Sequence, residues 1–293
     1  MKGLTLTSIL LLAFSSLNAQ IHVCLTEEVI LNASNPTTGE SYQWFRSEDN
    51  VNWSQLTNGA NATQSVFPIW DVNYYKLQVT SSSCTRFTET QVVYTTVDDN
   101  SGNTYGTTLI DGECWMRDNL RVTKLNDGTA IPEVQGDTDW YNQTGPARSS
   151  YDNSSANADD YGYLYNFFTV QTGKLCPTGW HLPSDTDIED LQTSLGGALI
   201  AGGRMKVNGT THWDSPNTGG TNSSGFAGKG GGFRYAGGSF AEKGQTAYFW
   251  TTKVVSNGFT AKPYSLKYNS EALGLYGLAW LQESGFSCRC VRD

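Results

Sequence analysis

The sequence predicts two domains, an all-β sandwich followed by a loop-rich α+β domain tied by disulfides. Three observations carry this expectation. Residues 21–97 alternate short aromatic and β-branched runs with turn-forming residues. The run Cys176-Pro177-Thr178-Gly179-Trp180-His181-Leu182-Pro183-Ser184 is answered by Cys288-Arg289-Cys290-Val291-Arg292-Asp293, a cysteine-rich turn and a cysteine-rich closing strand. Between them, 19 of the 31 glycines fall within residues 196–285. That density disfavours regular helix and predicts short strands joined by long loops.

The first residues read as a secretory leader. Lys2 supplies a positive charge, Leu4 to Phe14 an apolar stretch, and Leu17-Asn18-Ala19 a small-residue cleavage site before Gln20. The apolar run falls short of the roughly 20 residues that cross a bilayer, and no later stretch qualifies, so no membrane span is expected. Ile21-His22-Val23 before Cys24 supplies no lipobox, so lipidation at Cys24 is not expected. The protein is expected to be secreted or held at the cell surface. The chain without its leader, about 274 residues, suggests two domains on length alone. It carries 28 acidic residues against 18 basic ones once Lys2 is set aside from the 19. That balance argues against nucleic acid or an anionic membrane surface as partner. The charged fraction of 16% and nine Trp fit an extracellular β-rich protein with aromatic area enough for two cores.

All six cysteines (24, 84, 114, 176, 288 and 290) follow the leader. An even count in an exported chain favours disulfides, with the connectivity left open by spacing alone. Zinc is the rival, but Cys288-x-Cys290 is too tight for a zinc knuckle and no second close pair exists. His22, His181 and His212 are scattered.

Within the first domain, Glu28–Ala33, Ser41–Arg46, Tyr74–Thr80 and Thr90–Tyr94 read as strands, separated by Pro-, Gly- and Asn-containing turns. Strands at this spacing, with a Trp between two Cys, imply a β-sandwich. The polar stretch Asp98-Asp99-Asn100-Ser101-Gly102-Asn103 reads as a linker. Boundaries follow: leader 1–19, sandwich 20–97, linker 98–103 and second domain 104–293, with no further C-terminal sorting domain expected. The second domain opens on a hairpin, Tyr105 to Ile110 and Glu113 to Leu120 around an Asp111-Gly112 turn. The aromatic stripe Tyr161 to Phe168 reads as buried core. One helix is predicted: Ser184 caps it with Asp187 three residues on, Ile188, Leu191 and Leu195 share a face, and Gly196-Gly197 ends it. Its acids Asp185, Asp187, Glu189 and Asp190 have local roles at the positive helix end or in solvent.

The first domain resembles the immunoglobulin-like modules of bacterial surface and secreted proteins, on Cys24, Val29 and Leu31, Tyr42-Gln43-Trp44, and Tyr75 to Val79 before Cys84. The tyrosine two residues before the second Cys is replaced by Ser82, which puts Cys84 beyond its strand. The resemblance implies a Cys24–Cys84 bridge that clamps domain ends. The second domain resembles the Fibrobacter succinogenes major paralogous domain. The likeness runs in order through Cys114-Trp115-Met116 with Asn119-Leu120, Tyr161 to Asn166, Cys176 to Ser184, Ala201 to Lys206 and His212 to Asn217. It continues through Ser224-Gly225-Phe226, Gly231-Gly232-Phe233-Arg234, Phe249-Trp250-Thr251-Thr252 and Cys290 to Asp293. Phe-Trp-Thr-Thr stands where Trp-Trp-Ser-Ser is usual, and Gly228-Lys229-Gly230 replaces a Leu-Pro. The resemblance implies an α+β C-type-lectin-like fold, similar also to formylglycine-generating enzymes, and a Cys176–Cys290 bridge. Cys114 and Cys288 occupy positions usually apolar in that family, which suggests a second bridge, Cys114–Cys288; swapped pairing stays open.

No constellation commits the chain to a reaction. Formylglycine-generating enzymes use reactive cysteines and a metal, and Gly237-Gly238-Ser239-Phe240 and Gly285 to Arg289 echo them. Cys288 is expected to be bridged, however, and a bridged thiol is no nucleophile. No Gly-x-Ser-x-Gly elbow occurs. His181 reads as packed core, and His212 beside Trp213 and Asp214 as part of a loop. Asp159-Asp160 and Asp137-x-Asp139 read as solvated turns. No calcium motif is present, so calcium is left without support and no cofactor is expected. The expected function is that of an exported, non-catalytic binding or adhesion protein whose partner is carbohydrate or a cell-surface protein. An extracytoplasmic enzyme acting on polysaccharide or protein, and a structural subunit of a surface assembly, are the alternatives. The glycine-rich loops would present the contact surface. Its candidates are foremost Trp213, Tyr235, Trp250, Tyr268 and Trp280, with Phe233, Tyr248, Tyr264 and Tyr276 beside them. At least half of these rings are expected to be core.

Overall fold

A computed structural model describes residues 21–33, 36–82, 84–88, 90–255, 258–274 and 279–293. The expected leader, residues 1–19, and Tyr276 lie outside the described residues. The chain is mostly β with few helices and forms two compact units, divided between Thr96 and Val97.

Unit 1 is built from β1 (Ile21–His22), β2 (Val29–Asn32), β3 (Ser41–Ser47), β4 (Ser54–Gln55), β5 (Thr63–Val66), β6 (Val72–Thr80), β7 (Thr85–Phe87) and β8 (Gln91–Tyr94). One sheet runs in the order β1-β8-β6-β3-β4, with β7 also on β6, and a second pairs β2 with β5. The long β6 alternates strictly, turning Asn73, Tyr75, Leu77 and Val79 inward. Tyr75, Leu77 and Val79 meet Leu31, Val66, Val93 and Trp44 in a single core, and the Trp44 indole N–H donates to Asn61 O at 3.0 Å.

The expected Cys24–Cys84 bridge is not formed. β1 runs parallel to β8 with Ile21 opposite Val93, and β8 pairs β6 with Tyr94 opposite Val72. Cys24 therefore lies at the Val72 end of β6 while Cys84 lies past Thr80. Nine residues of strand separate those ends by roughly 26 Å, against the roughly 7 Å between Cα atoms that a disulfide tolerates. Cys84 is an exposed free thiol, and Cys24 is buried and disulfide-bonded.

Unit 2 starts within β9 (Thr96–Asp98) and contains β10 (Thr104–Ile110), β11 (Glu113–Met116), β12 (Arg148–Ser149), β13 (Leu164–Tyr165) and β14 (Trp180–His181). Beyond these come β15 (Gly231–Arg234), β16 (Phe240–Lys243), β17 (Thr246–Val254), β18 (Thr260–Lys267), β19 (Trp280–Leu281) and β20 (Val291–Arg292). Its helices are α1 (Asp137–Tyr141), α2 (Ser155–Tyr161), α3 (Phe167–Gln171), α4 (Asp185–Ser194) and α5 (Ala198–Met205). One sheet orders β14-β20-β11-β10-β9 and another β16-β15-β17-β18-β19. Two apolar clusters use alternate residues of the same strands. Met116, Trp250 and Cys290 enter one, while Trp115, Phe249 and Val291 enter the other.

The opening hairpin forms with Ile110 opposite Glu113, so Asp111 and Gly112 alone make the turn, at φ 52° and 88°. α4 carries the expected capping box: Asp187 N donates to Ser184 Oγ at 3.3 Å and Ser184 N to Asp187 Oδ2 at 2.7 Å. The stretch 98–103 is not a free linker. Asp98 belongs to β9, Asp99 accepts from Ser101 N, Asn103 N and the Tyr105 hydroxyl, and Asn103 Nδ2 donates to Arg121 O. Its polar residues satisfy a loop folded onto unit 2 rather than hydrating a tether. The glycine-rich region also holds a helix that its composition disfavours. α5 contains Gly202 and Gly203 because it packs directly on backbone: a Cβ at Gly203 would stand 2.6 Å from Gly219 O, and one at Gly202 would meet Ala272 O.

The Cys176–Cys290 bridge is present, with Cα atoms 6.0 Å apart. Cys114–Cys288 is not. Trp115 stands opposite Val291 in the antiparallel β11–β20 pair, which sets Cys114 against Arg292. Cys288 lies four residues further along, where its carbonyl accepts from Leu120 N. That offset is roughly 13 Å of extended chain, too far for a bridge. Cys114 is disulfide-bonded, and Cys288 is a buried free thiol.

Candidate functional site

The predicted aromatic surface divides into interior and exterior. Trp213 and Trp250 are corrections: they are 1% and 0% exposed and belong to the core. Trp213 Nε1 donates to Gly228 O at 3.0 Å and Trp250 Nε1 to Tyr165 O at 2.8 Å, so each indole is spent internally. Phe233 and Tyr264 are buried as well. Tyr268 is half-buried against the other apolar cluster. Tyr235 is exposed, and Tyr248 and Trp280 are half-buried.

These last three crown a column of rings. Phe167 meets Trp250 at 5.0 Å between centroids, and Trp250 meets Phe286 at 4.4 Å. Above them Phe233 touches Trp280 at 5.0 Å and Tyr235 at 4.6 Å. Tyr248 lies 5.5 Å from Trp280 and Tyr235 lies 6.0 Å from it. The edge-to-face geometry that dominates is the favoured one for aromatic pairs. Strand alternation places the set: Tyr248 and Trp250 share one face of β17, and Ala261 of β18 pairs with Trp280 of β19. Burial pushes the Tyr248 hydroxyl up to about 12, with Glu242 and Tyr235 adding to the shift.

The loop that carries Tyr235 is fixed from below. Tyr235 N donates to Ser239 O and Gly238 N to Tyr235 O. The fully buried Arg234 holds the same turn, donating Nε to Gly238 O at 2.6 Å, Nη1 to Val134 O at 2.5 Å and Nη2 to Gln135 O at 2.8 Å. Asp137 lies 3.2 Å from Nη2, and the guanidinium packs between the Trp140 and Phe240 rings at 4.4 and 4.7 Å. Gly238, at φ 101°, leaves no room for a Cβ against Asp137. In the sequence Arg234 stands only as part of the family likeness; a charged residue closing Gly-Gly-Phe in an apolar strand was the available signal for its structural role.

The polar candidates stand elsewhere. His181, expected in the core, has a 44% exposed side chain. The next residue, Leu182, takes the inward place, and the imidazole sits between Asp293 Oδ1 at 2.6 Å and Asp187 Oδ2 at 3.3 Å. His212 is half-buried with its ring edge-to-face on Tyr161 at 5.6 Å, and burial holds its pKa down, as does Lys229. The pairs read as turns are helical: Asp137 and Asp139 open α1, and Asp159 and Asp160 lie on α2. Among the described residues no group of three or more His, Cys, Asp or Glu is placed to hold a metal ion.

Fold and site together define a two-unit, mostly β protein whose larger unit is closed by an internal disulfide and raises a rigid aromatic group to its surface. Residues 109–292 match the Fibrobacter succinogenes major domain, and the chain belongs to that family. Residues 15–99 match DUF8696, a domain of unknown function. No curated protein and no solved structure matches the chain.

Proposed function

We propose that the protein is an exported, non-catalytic binding protein, with an immunoglobulin-like unit 1 and a C-type-lectin-like unit 2 that contacts carbohydrate. The order β1-β8-β6-β3-β4 against β2-β5, with β1 parallel to β8, supports the first fold reading. The pairing of the opening strand β11 with the closing strand β20 supports the second. Disulfides and the leader-like first residues are compatible with export.

The observation that carries the binding reading is the Tyr235–Tyr248–Trp280 group. One exposed and two half-buried rings, locked by a column of buried ones, lose little entropy when a flat partner stacks on them. A pyranose ring offers such an apolar face. The test is a glycan array with the purified protein, run with and without calcium. Saturable binding that disappears in Trp280→Ala, with the melting temperature retained, supports the reading. Absence of any glycan signal, or a signal unchanged in Trp280→Ala, overturns it.

A further inference from the structure

A second site stands in unit 2, independent of the aromatic group. A cleft of about 120 Å³ lies between the end of α2 and the segment after β11. Four of its nine lining residues, Arg117, Arg121, Lys229 and Arg289, are basic and three, Asp118, Asp159 and Asp160, are acidic, a net positive lining in a chain with 19 bases among 293 residues and a net charge of −9. The grouping runs against the charge of the whole molecule.

Arg289 forms the floor. It is 1% exposed, and its guanidinium donates only to neutral acceptors: Asn119 Oδ1 at 2.7 Å, Ala227 O at 3.0 Å, Met116 O at 3.5 Å and Phe226 O. Burial lowers its pKa to about 10, which leaves it cationic at neutral pH. Among the described residues no carboxylate lies within ion-pair distance of Arg289, Arg121 or Lys229. Lys229 Nζ donates once, to Asp160 O at 3.0 Å, and an ammonium has three N–H groups. At the rim, Asp159 and Asp160 are exposed, and their carboxylates take no hydrogen bond from the described protein. The wall is closely fitted: Gly162, at φ 77°, has no space for a Cβ, which would stand 2.7 Å from Asn119 Cβ and 2.8 Å from Leu120 O.

Arg121, Lys229 and Arg289, which make no ion pair among the described residues, stand beside the exposed carboxylates of Asp159 and Asp160, while Asp118 accepts from Gly106 N at 2.9 Å; this set matches a ligand that carries one carboxylate and several hydroxyls. Arg and Lys take the carboxylate through charge-assisted hydrogen bonds, and Asp oxygens accept from sugar hydroxyls. The volume suits one ring rather than a chain. We propose that this cleft binds a uronic acid, as a single or terminal sugar residue, with its carboxylate on Arg121 and Lys229 over Arg289 and its hydroxyls toward Asp159 and Asp160.

Isothermal titration of the purified protein with galacturonic acid, digalacturonate, galactose and acetate tests this. The expected result is saturable uronate binding, at least roughly tenfold tighter than for galactose or acetate and weakened roughly tenfold by Arg121→Met or Lys229→Met. Arginine side-chain NMR shifts in the unsubstituted protein, which should move with uronate and not with galactose, keep the proposal testable should a variant melt early. No saturable uronate binding, equal affinity for galactose or acetate, or unchanged affinity in both variants overturns it. Trp280→Ala is expected to leave uronate binding at this cleft intact, so failure of the aromatic surface and failure of the cleft read out separately.

Discussion

At the scale of single residues, the two free thiols have opposite environments. Cys84 is exposed at the turn after β6, whereas Cys288 is fully buried, and burial pushes its thiol well above the ordinary range. A thiol held protonated and out of solvent does not alkylate. Iodoacetamide should therefore label one cysteine of the native protein, Cys84, and a second, Cys288, only after denaturation, as read by intact mass and peptide mapping. Native labelling of both, or of neither, would contradict this assignment. The aromatic residues carry the same lesson about what a sequence reveals. Trp213, Tyr235, Trp250 and Trp280 are indistinguishable by composition, because the glycine-rich loops around them have no period that marks an inner face. Only the hydrogen bonds of the two buried indoles and the turn held by Arg234 separate them.

At the scale of elements, local chemistry was legible and register was not. The Asp111-Gly112 turn and the α4 cap are encoded within a few residues, and both formed where expected. Ser184→Ala removes the acceptor for Asp187 N and should cost about 1 kcal/mol; urea denaturation should show a lower midpoint with an unchanged slope. A midpoint equal to that of the parent would mean that the cap contributes nothing. α5 was missed because its two glycines disfavour helix, and the gain that offsets them, close backbone approach to Ala272 and Gly219, is tertiary. The Cys114–Cys288 expectation failed on register alone. Cys114 lies on β11 and Cys288 just ahead of β20, but pairing Trp115 with Val291 sets them four positions apart. The uronate cleft was out of reach for the same reason, since Arg121, Lys229 and Arg289 converge from three distant segments.

At the scale of the whole molecule, the division into two units and the Cys176–Cys290 closure were both anticipated. The bridge spans 114 residues, and in the chain-entropy model a loop of that length stabilises by about 5 kcal/mol. Stability should also depend on alkaline pH with a definite sign. Burial raises the phenols of Tyr75 and Tyr248 to about 12, those of Tyr105 and Tyr264 further, and that of Tyr165 well above the ordinary range. The unfolded chain ionises its tyrosines near pH 10 or so. Above that value it binds fewer protons than the folded state, so stability present below pH 10 is lost as the pH rises through the folded values. The melting temperature should hold level up to about pH 9 and fall beyond pH 10, with phenolate absorbance rising together with unfolding. Tyrosines that titrate normally in the folded protein would refute this.

Strand β20 sits between β11 and β14, so two segments distant from each other share residues 291–292 as their common partner. A polypeptide leaves the ribosome with its amino end first, and these residues come after every other strand of their sheet. Until they emerge, the flanks bearing Trp115 and Trp180 face solvent with open backbone edges, the surfaces on which nascent chains associate wrongly. Premature termination just ahead of Val291 would therefore yield an unlatched, aggregation-prone product rather than a slightly shortened version of the same domain.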